Sequence, residues 1–259
     1  MTVAGKSGSP FRLLQLSDCH LPADPGTLYR GQNADEGLQR LLKRVAEFRP
    51  QQILLTGDLS EDGSEGSYRR LRHYLDEMGA PVCALPGNHD VDEVMQRHFP
   101  AGPWNGPKLL TAGGQWALVL MRSSRAGRID GEISEQDLDV LDGMLVDARP
   151  EAGLQGVVVA LHHQPVPVNA PWIDRYGLAK SEAFLALIER RPAVRAVVWG
   201  HVHQPFQARL GGAQLLACPS TAVNSLPETP KFHHDPAGPA GRWFKLHADG
   251  EMETGLLRA

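Results

Sequence analysis

The chain is 259 residues long, with 42% hydrophobic and 22% charged residues and a formal net charge of −4. This length lies near the size at which one hydrophobic core stops growing, so a single domain over residues 1–259 is expected, with the polar residues 1–10 as a flexible N-terminus. No apolar run reaches the roughly 18 residues of a membrane span, the N-terminus lacks the apolar stretch of a signal peptide, and the acidic balance lacks the basic footprint that holds a long nucleic acid. The short pairs Arg69-Arg70 and Arg190-Arg191 read as solvated helix faces. Three cysteines, Cys19, Cys83 and Cys218, are odd in number and widely spaced, which argues against a disulfide framework and fits a reducing compartment. A cytoplasmic location away from membranes is expected. Attraction for an anionic substrate would have to come from metal ions, and nothing in the sequence fixes an oligomeric state.

Taken in order, residues 11–17 (FRLLQLS) form an apolar run of buried-strand type that delivers Asp18 and His20 at its C-terminal end. Asn33 then caps an amphipathic helix reaching about residue 48, with Leu38, Leu41, Leu42 and Val45 on one face. A strand over residues 52–56 ends at Gly57-Asp58, a helix covers about 65–78, and a strand over 82–85 runs into Gly87-Asn88-His89-Asp90. This β-α-β-α-β order implies parallel strands with right-handed crossovers. Further strands are expected over 108–111 and 115–122, and a helix capped by Ser134 to about 146. A strand over 156–161 ends at His162, and after a Pro-rich loop carrying Trp172 and a helix over 181–189, a strand over 194–199 ends at Gly200-His201-Val202-His203. Runs at 206–210, 214–217 and 243–247 suggest a second, partly antiparallel sheet. The intervening residues 225–241 are rich in Pro and Gly and contain His233-His234.

Each of these strand ends carries metal-ligand chemistry, and in open α/β sheets ligands bind beyond the carboxyl ends of the strands. The donors are the carboxylates of Asp18 and Asp58, the amide of Asn88 and the imidazoles of His20, His162, His201 and His203. With no sulfur among them, the set suits Mn, Fe, Co or Zn. Seven side chains are too many for one ion; with one shared carboxylate they make four ligands for each of two. His201 and His203, at i and i+2, would point to the same side of an extended segment, one to each metal. Gly57, Gly87 and Gly200 sit where the chain must leave a strand sharply. Two ions about 3.5–4 Å apart activate a water and neutralise a phosphoryl group in in-line attack. This selects phosphoester hydrolysis, with His89 as the acid that protonates the leaving oxygen and Asp90 placed to orient its ring.

The ordered set Asp-x-His, Gly-Asp, Gly-Asn-His-Asp, His and Gly-His-x-His resembles the calcineurin-like metallophosphoesterases over nearly the whole chain. LPGNHD, LHHQPVPVNAPWID, GHVHQ, ACPST and LHADG are similar to the bacterial 3',5'-cyclic AMP phosphodiesterases of the CpdA type. The resemblance implies an α/β fold, a four-layer α-β-β-α sandwich with two mixed sheets, and hydrolysis of cyclic AMP to 5'-AMP. It implies an iron or manganese centre, with Asp18, His20, Asp58 and His203 on one ion and Asp58, Asn88, His162 and His201 on the other. Nucleotide phosphate contacts would come from His20, Asp58, Asn88 and His89. The same centre could serve a glycerophosphodiester, a 2',3'-cyclic nucleotide or a phosphoprotein, and a non-catalytic adaptor is the remaining alternative.

Bland readings stand beside these. His163 either supports a ligand or makes a structural hydrogen bond, and Trp172 either stacks on a base or packs its loop. His233-His234 reads as a solvated loop or a lid. Cys19, between two ligand candidates, reads as a small core hydrophobe or a redox-sensitive thiol, and His73, His98 and His247 as solvated or capping residues.

Overall fold

The computed structural model describes residues 8–148 and 153–259, so most of the N-terminal segment at residues 1–10 lies outside the described residues. In chain order the elements are β1 (Phe11–Leu16), α1 (Ala34–Val45), β2 (Gln52–Thr56), α2 (Glu65–Asp76), β3 (Val82–Leu85), α3 (Asp92–His98), β4 (Lys108–Ala112) and β5 (Trp116–Leu120). They continue with α4 (Glu135–Asp147), β6 (Gly156–Ala160), α5 (Pro171–Asp174), α6 (Ser181–Glu189), β7 (Val194–Trp199), β8 (Phe206–Leu210), β9 (Ala213–Ala217), β10 (Ala240–Leu246) and β11 (Met252–Arg258).

Two mixed sheets result. The first has the order β11-β10-β1-β2-β3, with β1, β2 and β3 parallel and β10 and β11 antiparallel. The second has the order β4-β5-β6-β7-β9-β8, with β5, β6, β7 and β9 parallel and antiparallel edges. The central strands read as largely apolar runs because both of their faces are buried. In β1, Leu14 and Leu16 pack with Leu38, Leu41 and Leu71 of α1 and α2, while Leu13 turns to the other sheet against Leu118, Val158 and Val198. On the far side, Val157, Val159 and Val197 meet Leu141 and Leu145 of α4 and Phe184 and Leu187 of α6. Three apolar layers therefore separate helices, sheet, sheet and helices, which is the expected four-layer sandwich. The helix caps at Asn33 and Ser134 form as expected, accepting from Glu36 N and Asp137 N at 3.1 Å each.

The late strands depart from expectation. β8 and β9 extend the β5-β6-β7 sheet, whereas β10 crosses back to pair with β1, so they do not make a sheet of their own. The apolar period identifies a strand but not the edge it joins, and a long connection separates β9 from β10. The helix α3 and the strand β11 are additions. Only Met95 of α3 is buried, and β11 is a half-exposed edge strand interrupted by Gly255, so neither has an apolar stripe to reveal it.

Candidate metal centre

All eight candidate residues converge at the carboxyl ends of parallel strands from both sheets. Asp18 and His20 follow β1, Asp58 follows β2, and Asn88 and His89 follow β3; His162 follows β6, and His201 and His203 follow β7. The two sheet ends meet closely because three glycines leave room. A Cβ at Gly57, the one of the three with left-handed φ (+89°), would lie 2.5 Å from His162 Nδ1. One at Gly87 would enter the Asp58 carboxylate, and one at Gly200 would overlap Ser17 Oγ and lie 2.6 Å from Asp18 Oδ2. Space between sheets, more than the exit from a strand, is what these positions require. Gly200→Ala is therefore expected to lower stability by about 1–3 kcal/mol, read as a thermal midpoint depressed by roughly 2–4 °C per kcal/mol. An unchanged midpoint would show that Ser17 and Asp18 can retreat.

The chain spends backbone strain here. Asp18, His20, Asp58, His201 and His203 all hold left-handed φ, at 52°, 44°, 50°, 65° and 49°. Each such residue costs on the order of 1 kcal/mol. This corrects the extended-segment argument for His201 and His203: the two are not on a strand, and successive left-handed bends send their rings apart. His201 Nδ1 lies 3.2 Å from His162 Nε2, whereas His203 Nε2 lies 3.1 Å from His20 Nε2 and 3.3 Å from Asp18 Oδ1. The two rings therefore lie beside different partners, His162 for His201 and His20 for His203, by a route other than an extended segment.

Asp58 sits between the groups. Its Oδ1 accepts from His89 N (2.9 Å), and its Oδ2 lies 3.4 Å from His162 Nε2 and 3.8 Å from His20 Nε2. Asn88 Oδ1 is 3.3 Å from His162 Nε2. Asp18 is held by His201 N at 3.1 and 3.0 Å.

The histidine tautomers follow from partners that only accept. His162 Nδ1 donates to Thr56 O (2.7 Å), His203 Nδ1 to Val223 O (2.7 Å) and His20 Nδ1 to the Glu61 carboxylate (2.6 Å). In the neutral rings this leaves bare lone pairs on three Nε2 atoms that all point inward. Those of His20 and His203 are 3.1 Å apart and repel each other unless a cation or proton lies between them. Burial alone would raise both carboxyls, but His203 beside Asp18 and His162 beside Asp58 outweigh it and hold Asp18 below, and Asp58 well below, the ordinary range. Burial pushes His162 down, yet Asp58 and Asp18 lift it to about 9. Buried anions and inward lone pairs fit hard or borderline divalent cations, and the residues present can hold two of them with Asp58 shared.

His163 lies among these rings, but both of its nitrogens are used: Nε2 donates to Ile129 O (2.9 Å), so Nδ1 accepts from Ser123 Oγ (2.9 Å). Burial and the neighbouring His162 push it to about 3. It is a structural residue. Cys19 is fully buried in the apolar core, and burial pushes its thiol up to about 12. His247 is buried against Glu253 (2.7 Å), so it is not solvated; His98 sits in the last turn of α3, in keeping with the capping reading, and pairs with Glu65 (2.5 Å).

Asp90 does not orient His89. Its carboxylate turns inward and accepts from Leu59 N, Ser60 N, Gly87 N and Tyr68 Oη, fixing the turn that carries Asn88. The His89 ring instead donates Nδ1–H to Glu61 O (3.1 Å), with the Glu61 carboxylate at 3.4 Å. Burial would lower the His89 pKa, but Asp58 and Glu61 raise it above the ordinary value.

Glu61 escaped the sequence reading, although it sits three residues after Asp58 in a loop leaving a strand end. A carboxylate on the outer nitrogen of a ligating histidine fixes its tautomer and raises its basicity. Glu61→Gln is expected to weaken binding of the ion beside His20 by about 10–100-fold, measured by competition with a chelator. Unchanged affinity would make the contact incidental.

A cavity of about 460 Å³ opens onto the centre, lined by His20, Asp58, Asn88, His89, His201 and His203 and, from three other segments, by Tyr29, Trp172 and Phe232 among others. Tyr29 stacks on His20 at 4.2 Å. Arg30, Arg175 and Lys231 also line it, and among the described residues none of the three is ion-paired. Positive charge at the mouth is thus supplied by side chains too, which scattered positions in the sequence concealed. His233 and His234 are exposed and outside the lining, so that loop contributes Phe232 and Lys231 in place of the histidine pair.

Among the described residues, no helix is long and apolar enough to cross a membrane. The fold matches a dimetal phosphatase from Danio rerio with a TM-score of 0.73 at 14% identity, covering 95% of this chain and 99% of that one. The sequence is 39% identical to the 3',5'-cyclic adenosine monophosphate phosphodiesterase CpdA of Pseudomonas aeruginosa, covering 95% of this chain and 89% of that protein. It is 33% identical to the CpdA of Escherichia coli K12, again over 95% and 89%. Residues 11–205 match the family model described as calcineurin-like phosphoesterase. The chain belongs to the calcineurin-like phosphoesterase family.

Proposed function

We propose that the chain is a 3',5'-cyclic-AMP phosphodiesterase that yields 5'-AMP at this centre. The observation that carries the chemistry is the pair of inward-facing donor groups sharing Asp58, with His89 beside them in one cavity. The relatives named above support the substrate. Asp18, His20, Asp58 and His203 would hold one divalent ion, and Asp58, Asn88, His162 and His201 the other. Iron or manganese is proposed on the family resemblance, and the same oxygen and nitrogen donors admit zinc or cobalt. When bound, such a pair supplies charge neutralisation at the phosphoryl oxygens and lowers the pKa of the attacking water.

The protein's own part is positioning and proton delivery. His20, Asn88 and His89 orient the cyclic phosphate over the donors. His89, anchored through Nδ1 on Glu61 O, keeps Nε2 for the substrate. As the P–O3' bond breaks and the bond from phosphorus to the water oxygen forms, His89 Nε2 gives its proton to O3'. We treat residues 1–259 as one domain because β10, far along the chain, pairs with β1 at the centre of the first sheet. Three buried, unpaired thiols support a cytoplasmic location.

The test is hydrolysis of cyclic AMP by purified protein supplied with Mn or Fe, beside cyclic GMP, 2',3'-cyclic AMP and bis-p-nitrophenyl phosphate. Turnover of cyclic AMP to 5'-AMP well above the artificial diester is expected. Cleavage of the artificial diester alone would reject this substrate while keeping the centre, and empty sites in protein purified without chelator would favour an adaptor.

A further inference from the structure

We propose that Trp172 and Phe232 form a stacking wall for the nucleobase, making the cavity a mononucleotide site as well as a phosphate site. The proposal deepens, and rests on, the cyclic-nucleotide reading of the same centre. The two rings come from remote segments, α5 and the loop between Ser225 and His234, and meet edge to face at 5.5 Å and 83°. Each is only half-buried. Trp172 packs on the core of the second sheet and Phe232 on that of the first, so the pair spans the cleft beside the metal ligands.

Packing of their own loops does not account for them. The α5 segment is fixed by Asp174, whose carboxylate accepts from Val168 N (2.8 Å) and Ala170 N (2.9 Å). The Phe232 loop is closed by Leu226 N to His233 O (2.7 Å) and by Thr229 Oγ1 on the Leu226 and Lys231 carbonyls. Its base is tied to the centre itself, since Ser225 N donates to His203 O (2.8 Å). Both aromatics are therefore held in place by other groups while still lining the cavity. The Arg30 guanidinium lies 4.4 Å from the Phe232 ring centre, adding a cation to the same wall.

The cavity volume of about 460 Å³ falls within the range of small-molecule sites. A planar, uncharged base suits the aromatic pair, and an anionic phosphate suits the centre. A peptide or glycerol arm would leave the wall unused. Base–aromatic stacking is lost on truncation with an effect of about tenfold to a hundredfold.

The experiment compares Trp172→Ala, Phe232→Ala and Trp172→Phe with the unmodified protein, all metal-loaded. Substrates are cyclic AMP and the 3',5'-cyclic phosphate of methyl riboside, which lacks the base. In parallel, 5'-AMP and ribose 5-phosphate are titrated calorimetrically. Expected are a KM for cyclic AMP raised about tenfold or more in both alanine variants, little change with the base-free substrate, and partial retention in Trp172→Phe. The unmodified protein should bind 5'-AMP more tightly than ribose 5-phosphate, and the alanine variants should lose that difference. Equal losses on both substrates, or equal binding of the two phosphates, overturns the wall whether or not cyclic AMP is hydrolysed. Trp172-dependent preference for 5'-AMP in a protein that does not hydrolyse cyclic AMP would keep the wall and reject the reaction.

Discussion

Asp58→Asn is expected to reduce kcat/KM for cyclic AMP by at least about a thousandfold, roughly 4 kcal/mol of transition-state stabilisation, and to reduce bound metal from two ions to one or none. The substitution is close to isosteric. The amide oxygen can still accept from His89 N, the bond that Asp58 Oδ1 makes at 2.9 Å, so the turn after β3 should stay in place. What disappears is the charge on Oδ2, which lies 3.4 Å from His162 Nε2 and 3.8 Å from His20 Nε2, between the two donor groups. An amide is a weaker ligand than a carboxylate and does not offset the charge of two ions sharing it. Metal content by elemental analysis and activity should therefore fall together, while circular dichroism stays unchanged. A variant that keeps two ions and comparable turnover would show that Asp58 is not the shared ligand.

The contrast between what the sequence disclosed and what it hid follows from the physics of each residue. Asp18, Asp58, His162 and His201 were legible because each ends an apolar run buried on both faces, and such strands place their carboxyl ends at one edge. The four-layer fold was reached through family resemblance together with the β-α-β order. Pattern alone would have put β8, β9 and β10 in one sheet, since period 2 reports burial and says nothing about which edge a strand joins. The loop residues were the least visible. Glu61, Arg30, Lys231 and Phe232 sit in irregular segments with no period; only the three-dimensional path brings Arg30, Lys231 and Phe232 to one cavity and Glu61 to the His20 ring. For His201 and His203 the extended-segment expectation fails: left-handed bends, not an extended strand, set where the two rings lie. The same strain links fold to function. Five ligand candidates are held in costly backbone conformations at the ends of β1, β2 and β7, whose residues are largely buried.

His89→Ala should separate proton delivery from metal binding. Its backbone N–H, which holds Asp58 Oδ1, survives the substitution, so both ions should remain at unchanged stoichiometry. The lost imidazole is anchored by Nδ1 on Glu61 O at 3.1 Å, which leaves Nε2 as the atom available to a leaving oxygen. General-acid catalysis of this kind contributes about 10²–10⁴-fold. The contribution depends on the leaving group. The ribose O3' departs as a poor alkoxide and needs the proton, whereas p-nitrophenolate departs without one. Turnover of cyclic AMP should thus fall by about 10²-fold or more, while bis-p-nitrophenyl phosphate loses much less. If both substrates slow equally with metals intact, His89 acts by orienting the phosphate and the proton must come from elsewhere. If the metals are lost as well, the ring supports the centre through Glu61 and His20, which it meets edge-on at 4.9 Å.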